Sequence, residues 1–254
     1  YAVAMLVKGY DNKVFAIKKD SPMIIGKGEK ENYIASDIPA ILPYTNRCYI
    51  VNDGEIIEIS KDNISVFDNN GNKKAVEIKT IEMSIDSAEK GGYDFFMAKE
   101  IYEQPKAVKN TVSPLIKNGK IQLPFEFPEN FVKDLKRIYI VACGSAYHVG
   151  MTAKYIIEDM ARIPVTVDIA SEFRYRNPII EKGDLCIFVS QSGETADTLA
   201  SLRESKARGA FTMSIVNVLF STIARESDGV IYTNAGAEIA VATTKAFSAQ
   251  LGVC

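Results

Sequence analysis

Three hydroxyls and an amide surround one glycine in Ser190-Gln191-Ser192-Gly193-Glu194-Thr195. The run before it, Leu185-Cys186-Ile187-Phe188-Val189, is apolar, partly β-branched and without polar alternation, the pattern of a strand buried on both faces of a parallel sheet. After it, Ala196, Leu199, Ala200 and Leu202 recur at helical spacing, with Glu204 and Lys206 turned outward. The hexapeptide therefore joins the carboxyl end of a strand to the amino end of a helix. First-turn N–H groups lack intrahelical partners and the macrodipole favours negative charge, so the chemistry on offer is binding of a phosphate dianion. Serine and threonine are also ordinary N-caps, but one cap needs one hydroxyl. No Walker-type lysine follows and the spacing is not G-x-G-x-x-G, which points to a small phosphorylated metabolite rather than ATP or NAD.

The elements that must position this loop alternate. Strands are expected at 138–142, 165–169, 185–189, 211–216 and 229–233, and helices at 147–162, 171–175, 195–208, 221–227 and from Ala242 onward. Such alternation predicts right-handed βαβ crossovers and a doubly wound α/β structure on a parallel sheet. Ligands of these sheets sit beyond the carboxyl ends of the strands, where strand order reverses. Cys143-Gly144-Ser145, Ser190 to Thr195 and Asn234 to Thr244 all fall at such ends and are expected to share one pocket.

Upstream, residues 1 to about 80 read as β-rich. Ala2 to Val7 and Val14 to Ile17 form a hairpin, 23–26 is a further strand, and a short helix follows 32–37 with Ser36 or Asp37 as its cap. Segments 48–51, 55–59 and 63–67 are expected to form a meander, with another strand near 76–79. Polar, glycine-rich residues 85–93 read as a linker between a domain at 1–84 and one at 94–254. Beyond it Phe95, Phe96, Ala98, Ile101 and Tyr102 make a helical stripe that ends near Gln104-Pro105, with 107–112 continuing helical. A chain that starts on a strand and stops within a helix reads as a fragment.

Composition excludes several function classes. The 254 residues carry 47% apolar content and a net charge of −2 without a basic block, so neither a nucleic-acid footprint nor a membrane-surface helix is expected. No apolar run has membrane-spanning length and no signal peptide leads the chain, which predicts a cytoplasmic protein. Cys48, Cys143, Cys186 and Cys254 are scattered, giving neither a disulfide framework nor a metal spacing. With His148 the single histidine, neither zinc chemistry nor a Ser-His-Asp triad has material, and no cofactor is expected.

Ser190 to Leu199 resembles the sugar-phosphate loop of the sugar isomerase (SIS) domain, in the form of the glutamine–fructose-6-phosphate aminotransferase family. Lys99 to Pro105, Ala142-Cys143-Gly144-Ser145, Ala170 to Arg176, and Asn234 to Ile239 running into Thr244-Lys245-Ala246-Phe247 agree with it. The resemblance implies an enzyme that makes glucosamine 6-phosphate from fructose 6-phosphate and glutamine, acting as a homodimer. It implies that Ser190, Gln191, Ser192 and Thr195 hold the phosphate, that Gly144 and Ser145 meet the sugar, and that the backbone of Val241 and Ala242 lines the pocket. Packing at a helix start is the other reading of that last pair. Glu194 either orients the sugar or sits favourably in a first helical turn.

The chain departs from the family pattern at Ala146, where a hydroxyl is usual, and at Asn217 to Ser221, where a Pro-Gly turn is frequent. Residues 1–84 resemble the end of the family's glutaminase domain, an Ntn-hydrolase fold whose nucleophile is an amino-terminal cysteine. Residue 1 here is Tyr1. The isomerase base and the Schiff-base lysine belong, by resemblance, to a second SIS lobe and tail beyond Cys254. This stretch is therefore expected to carry a binding loop and no catalytic residue. His148 is read as a capping or partly exposed group, and Arg174 and Arg176 as salt-bridged loop residues. A stand-alone SIS module that senses sugar phosphate is the alternative, although such sensors usually carry a DNA-binding helical domain. A deglycase of the same superfamily would need no glutaminase remnant upstream.

Overall fold

Five strands rich in Ile, Val, Phe and Leu line up in parallel: β1 (Ile138–Ala142), β2 (Val165–Ile169), β3 (Leu185–Ser190), β4 (Phe211–Val216) and β5 (Gly229–Tyr232), in the order β2-β1-β3-β4-β5. Every residue of β1 and of β3 is buried, which is why neither shows polar alternation. Alternate side chains feed two cores. Ile138, Ile140, Ile187 and Ile215 face α2 (Gly144–Ala161) and the end of α6 (Lys245–Val253). Tyr139, Val141, Phe188 and Val216 face α3 (Ala170–Phe173), α4 (Ala196–Ala207) and α5 (Thr222–Glu226). The chain passes from β1 to β2 on one side and then crosses from β2 to β3 on the other side of β1, so strand order reverses between β1 and β3.

This computed structural model describes residues 1–81 and 90–254, in two compact units, Tyr1–Glu89 and Lys90–Cys254. The linker expected at 85–93 lies outside the described residues as far as 89. Residues 90–93 form a turn in which the Tyr93 N–H donates to the Lys90 carbonyl at 3.2 Å.

Among its described residues the first unit holds two antiparallel sheets, and here the expected meander is corrected. Ile56–Ile59 and Ile64–Phe67 do pair, but Arg47–Ile50 joins Ile24–Lys27 and Lys79–Thr80 in the other sheet. Glu55 explains the break. Its buried carboxylate accepts from the Tyr49 hydroxyl and the Asn52 N–H, both at 2.8 Å, and pairs with Lys74 at 2.5 Å, drawing the chain around a corner between sheets. Asp37, not Ser36, caps the Ile38–Ile41 helix, accepting from the Ala40 N–H at 3.0 Å.

In the second unit α1 (Phe96–Val112) runs through Pro105. The proline lacks an N–H for the Ile101 carbonyl four residues back, and the Gln104 side-chain amide donates to that carbonyl instead, at 2.9 Å. The apolar stripe is largely turned to solvent: Phe95, Ile101 and Tyr102 are exposed, whereas Lys99, Glu100, Ala107 and Thr111 are buried. α6 begins at Lys245, so Val241 and Ala242 precede it in a loop.

Gly150 lets α2 lie close on the sheet, because a Cβ there would come within 2.8 Å of Ile140 Cγ2 and 3.0 Å of Val167 Cγ1. Gly150→Val should destabilise the second unit by about 1–3 kcal/mol, an overpacking cost, read as a lower urea midpoint. An unchanged midpoint would mean that this helix–sheet contact is looser than described.

Candidate functional site

Ala142 of β1 stands opposite Val189 of β3, so the segments that follow both strands emerge side by side at the point where strand order reverses. The Thr198 hydroxyl in the first turn of α4 lies 3.9 Å from Cys143 Sγ, tying the two exits together. Gly144, at φ 56°, opens α2, and nothing lies within 4 Å of where its Cβ would be. Its glycine is demanded by backbone conformation, and the space beside it stays open. Ser145 follows, exposed, at the amino end of a helix.

The Ser190–Thr195 loop is folded by its own hydroxyls. Ser190, last residue of β3 and 4% exposed, accepts from the Gly193 N–H at 3.0 Å and lies 3.2 Å from the Thr195 hydroxyl. Ser192 accepts from the Glu194 N–H at 3.2 Å. A hydroxyl that accepts from an N–H keeps its own proton to donate. Gln191, Ser192 and Thr195 are partly exposed, whereas Ser190 is enclosed and acts on the turn itself. Gly193 is required twice over: its φ is 66°, and a Cβ would fall 2.0 Å from Ser221 Oγ.

Glu194 does something that the sequence reading missed. Its Oε1 accepts from the Thr222 N–H at 2.7 Å, so it caps α5, and its buried Oε2 has no hydrogen-bond partner. The Gly193 carbonyl accepts from the Ile223 N–H at 3.0 Å, and the Gln191 carbonyl accepts from the Asn217 N–H at 3.1 Å. The loop after β4 thus buttresses the hydroxyl loop. Val218, Leu219 and Phe220 within it are half-buried, with Phe220 at φ 60° in the left-handed region that favours glycine.

Asn217 carries the connection onward. Its Oδ1 accepts from the Thr233 hydroxyl and the Ala235 N–H, both at 2.9 Å, and its Nδ2 donates to the Gly236 carbonyl at 2.7 Å. An asparagine just past a strand's end was the available sequence signal. Farther along, Glu238 Oε1 accepts from the N–H groups of Thr244 at 2.9 Å and Ala246 at 3.2 Å. Glu100 of α1 accepts from those of Ile239 at 2.7 Å and Ala240 at 3.0 Å. Lys245 pairs with Glu103 at 2.6 Å, and the Ser248 hydroxyl donates to Gln104 Oε1 at 2.6 Å. These donors account for the inverted burial of α1, since an apolar face could not satisfy them. Val241 and Ala242 stand exposed at the tip of the turn so held.

Other sequence candidates lie apart from these bonds. His148 is exposed, edge-on to Tyr147. Arg174 pairs with Asp197 at 2.9 Å, and Arg176 pairs with Asp168. A cavity of about 440 Å³ lies beside β5, lined in part by Lys117, Gln122, Phe125 and Asn234.

Comparison with known proteins assigns the class first. Residues 132–254 match the SIS domain family, so the second unit carries a SIS domain. Over 253 residues the chain is 52% identical to glutamine–fructose-6-phosphate aminotransferase (isomerizing) of Clostridium tetani, a match covering 99% of this chain and 42% of that protein. The enzyme of the same name from Francisella tularensis is 48% identical over 254 residues, again covering 99% and 42%. Among solved structures, the C-terminal domain of glucosamine-fructose-6-phosphate aminotransferase from Francisella tularensis superposes with a TM-score of 0.61 at 50% identity, covering 65% of this chain and 47% of that one. The chain is thus similar to glutamine–fructose-6-phosphate aminotransferases over nearly its whole length, and it spans 42% of the length of these curated relatives.

Burial raises the Glu238 carboxyl above its ordinary value of 4.5. Between that value and the folded-state one, the folded chain keeps a proton that the unfolded chain has lost. The resulting stability is present in full below 4.5 and is lost as pH rises through the folded-state value. Glu238→Gln should flatten this dependence, seen as urea midpoints that fall less than the wild type's as pH is raised from about 4. Parallel curves for the two proteins would contradict the assignment.

Proposed function

We propose that this chain is the sugar-phosphate-binding part of an isomerising aminotransferase that converts fructose 6-phosphate and L-glutamine to glucosamine 6-phosphate and L-glutamate. The observation that carries the reading is the hydroxyl loop Ser190–Thr195, held open at the amino end of α4 where strand order reverses. Gln191, Ser192, Thr195 and first-turn N–H groups of α4 take the phosphate, and Ser190 shapes the turn that presents them. Gly144 and Ser145 meet the sugar from the neighbouring strand end, and the backbone at Val241 and Ala242 closes the opposite side. No residue here is assigned to proton transfer or Schiff-base formation. The chain contributes binding and orientation, which raise the effective concentration of the reacting sugar.

Residues 1–84, with their two antiparallel sheets, are read as the end of a glutaminase domain of Ntn-hydrolase type, residues 85–93 as a linker, and residues 94–254 as the first SIS lobe. The antiparallel sheets and the similarity to full-length aminotransferases across 99% of the chain support this division. A cytoplasmic homodimer belongs to the same reading. No helix among the described residues is long and apolar enough to cross a membrane.

The full-length protein should form glucosamine 6-phosphate in a glutamine-dependent way. A protein that neither hydrolyses glutamine nor consumes fructose 6-phosphate would overturn the proposal. Ser192→Ala should weaken fructose 6-phosphate binding about tenfold to a hundredfold, as expected for losing a hydrogen bond to a charged group, and calorimetry checks it. Unchanged affinity would remove Ser192 from the site.

A further inference from the structure

Glu100 is the least expected residue in the second unit. It is a carboxylate in the middle of a helix, 2% exposed, on the face that an amphipathic helix reserves for apolar side chains. Desolvating a charge is costly, and packing alone would be served better by leucine or methionine. What an apolar side chain cannot do is accept hydrogen bonds. Glu100 Oε1 takes two consecutive backbone N–H groups, from Ile239 and Ala240, while Oε2 lies 3.5 Å from the Thr244 hydroxyl. One carboxylate therefore reaches both ends of the turn that runs from Ile239 to Thr244.

At the tip of that turn Val241 is 105% exposed, so burial of its side chain does not shape the turn. Its form is set from its ends, by Glu100 on one side and by Glu238 on Thr244 and Ala246 at the other. Glu103 and Gln104, a turn farther along α1, fix Lys245 and Ser248 of α6 and so hold the helix that follows.

We propose that Glu100 is a positioning residue for the sugar side of the pocket, acting through the 239–244 turn. The inference rests on the sugar-phosphate reading above. Glu100 touches no ligand itself. It presents the backbone at Val241 and Ala242 to the sugar, while the Ser190–Thr195 loop holds the phosphate independently. The two halves of the ligand should consequently respond differently to its removal, a split that a purely structural role would not produce.

Calorimetry on the full-length protein with two probes, fructose 6-phosphate and inorganic phosphate, tests this. Glu100→Ala should weaken fructose 6-phosphate binding about tenfold or more and leave inorganic phosphate unchanged. Glu100→Gln keeps one neutral acceptor and a similar shape, so it should fold like the wild type and show a smaller loss in the same direction. Glu100→Asp, a methylene too short to reach, should behave like the alanine variant. Folded variants that bind fructose 6-phosphate as the wild type does, or that lose both probes equally, would overturn the inference. A wild type that binds neither probe would overturn the site reading and this inference with it. Normal wild-type binding confines a failure to Glu100. Amide exchange needs no variant: the Ile239 and Ala240 N–H groups should exchange slowly in the wild type, and exchange at the rate of free amides would contradict the bond on which the argument stands.

Discussion

The site depends on the parallel register between β1 and β3. Ile138 pairs with Leu185 and Ala142 with Val189, so the two central strands end at the same level. Parallel strands side by side, connected in opposite directions, leave a crevice at their carboxyl ends that no crossover helix fills. Whatever follows those strands is brought to one place. Here that is Gly144-Ser145 on one side and the hydroxyl loop on the other. A slip of one residue would send every side chain of a strand to the opposite core, so it is the fit of side chains of different size in two close-packed cores that holds the register.

Around that crevice the loops are held by polar side chains rather than by packing. Glu194 reaches α5, Asn217 reaches the segment after β5, and Glu238 and Glu100 hold the turn beyond. Each bonds mainly to backbone groups, which is how an irregular segment obtains a single shape without a core of its own. The consequence is preorganisation: a binding loop already held in shape gives up less conformational entropy when its ligand arrives. The bonds run in sequence from the hydroxyl loop to α1, across segments far apart in the chain.

The parallel sheet was legible because continuous apolar runs such as Leu185 to Val189 read the same in sequence and in space. The position of Ser190–Thr195 followed from its neighbours on both sides. What could not be read were features in which a polar group serves a distant backbone. Glu100 could not be singled out, because spacing records periodicity but not the N–H groups waiting more than a hundred residues away. The Arg47–Ile50 strand was assigned to its sequence neighbours for a related reason. Glu55, buried against Tyr49, Asn52 and Lys74, sits where the chain passes from that strand's sheet to the other.

The most direct test of the central claim is a titration of the isotopically labelled protein with fructose 6-phosphate, followed through its backbone amide resonances. The account predicts that the largest shifts fall on Gly193, Glu194, Thr195 and Ala196, with smaller ones at Ser145. Shifts confined to residues around the cavity beside β5, such as Lys117, Gln122 and Phe125, with none in the hydroxyl loop, would contradict it.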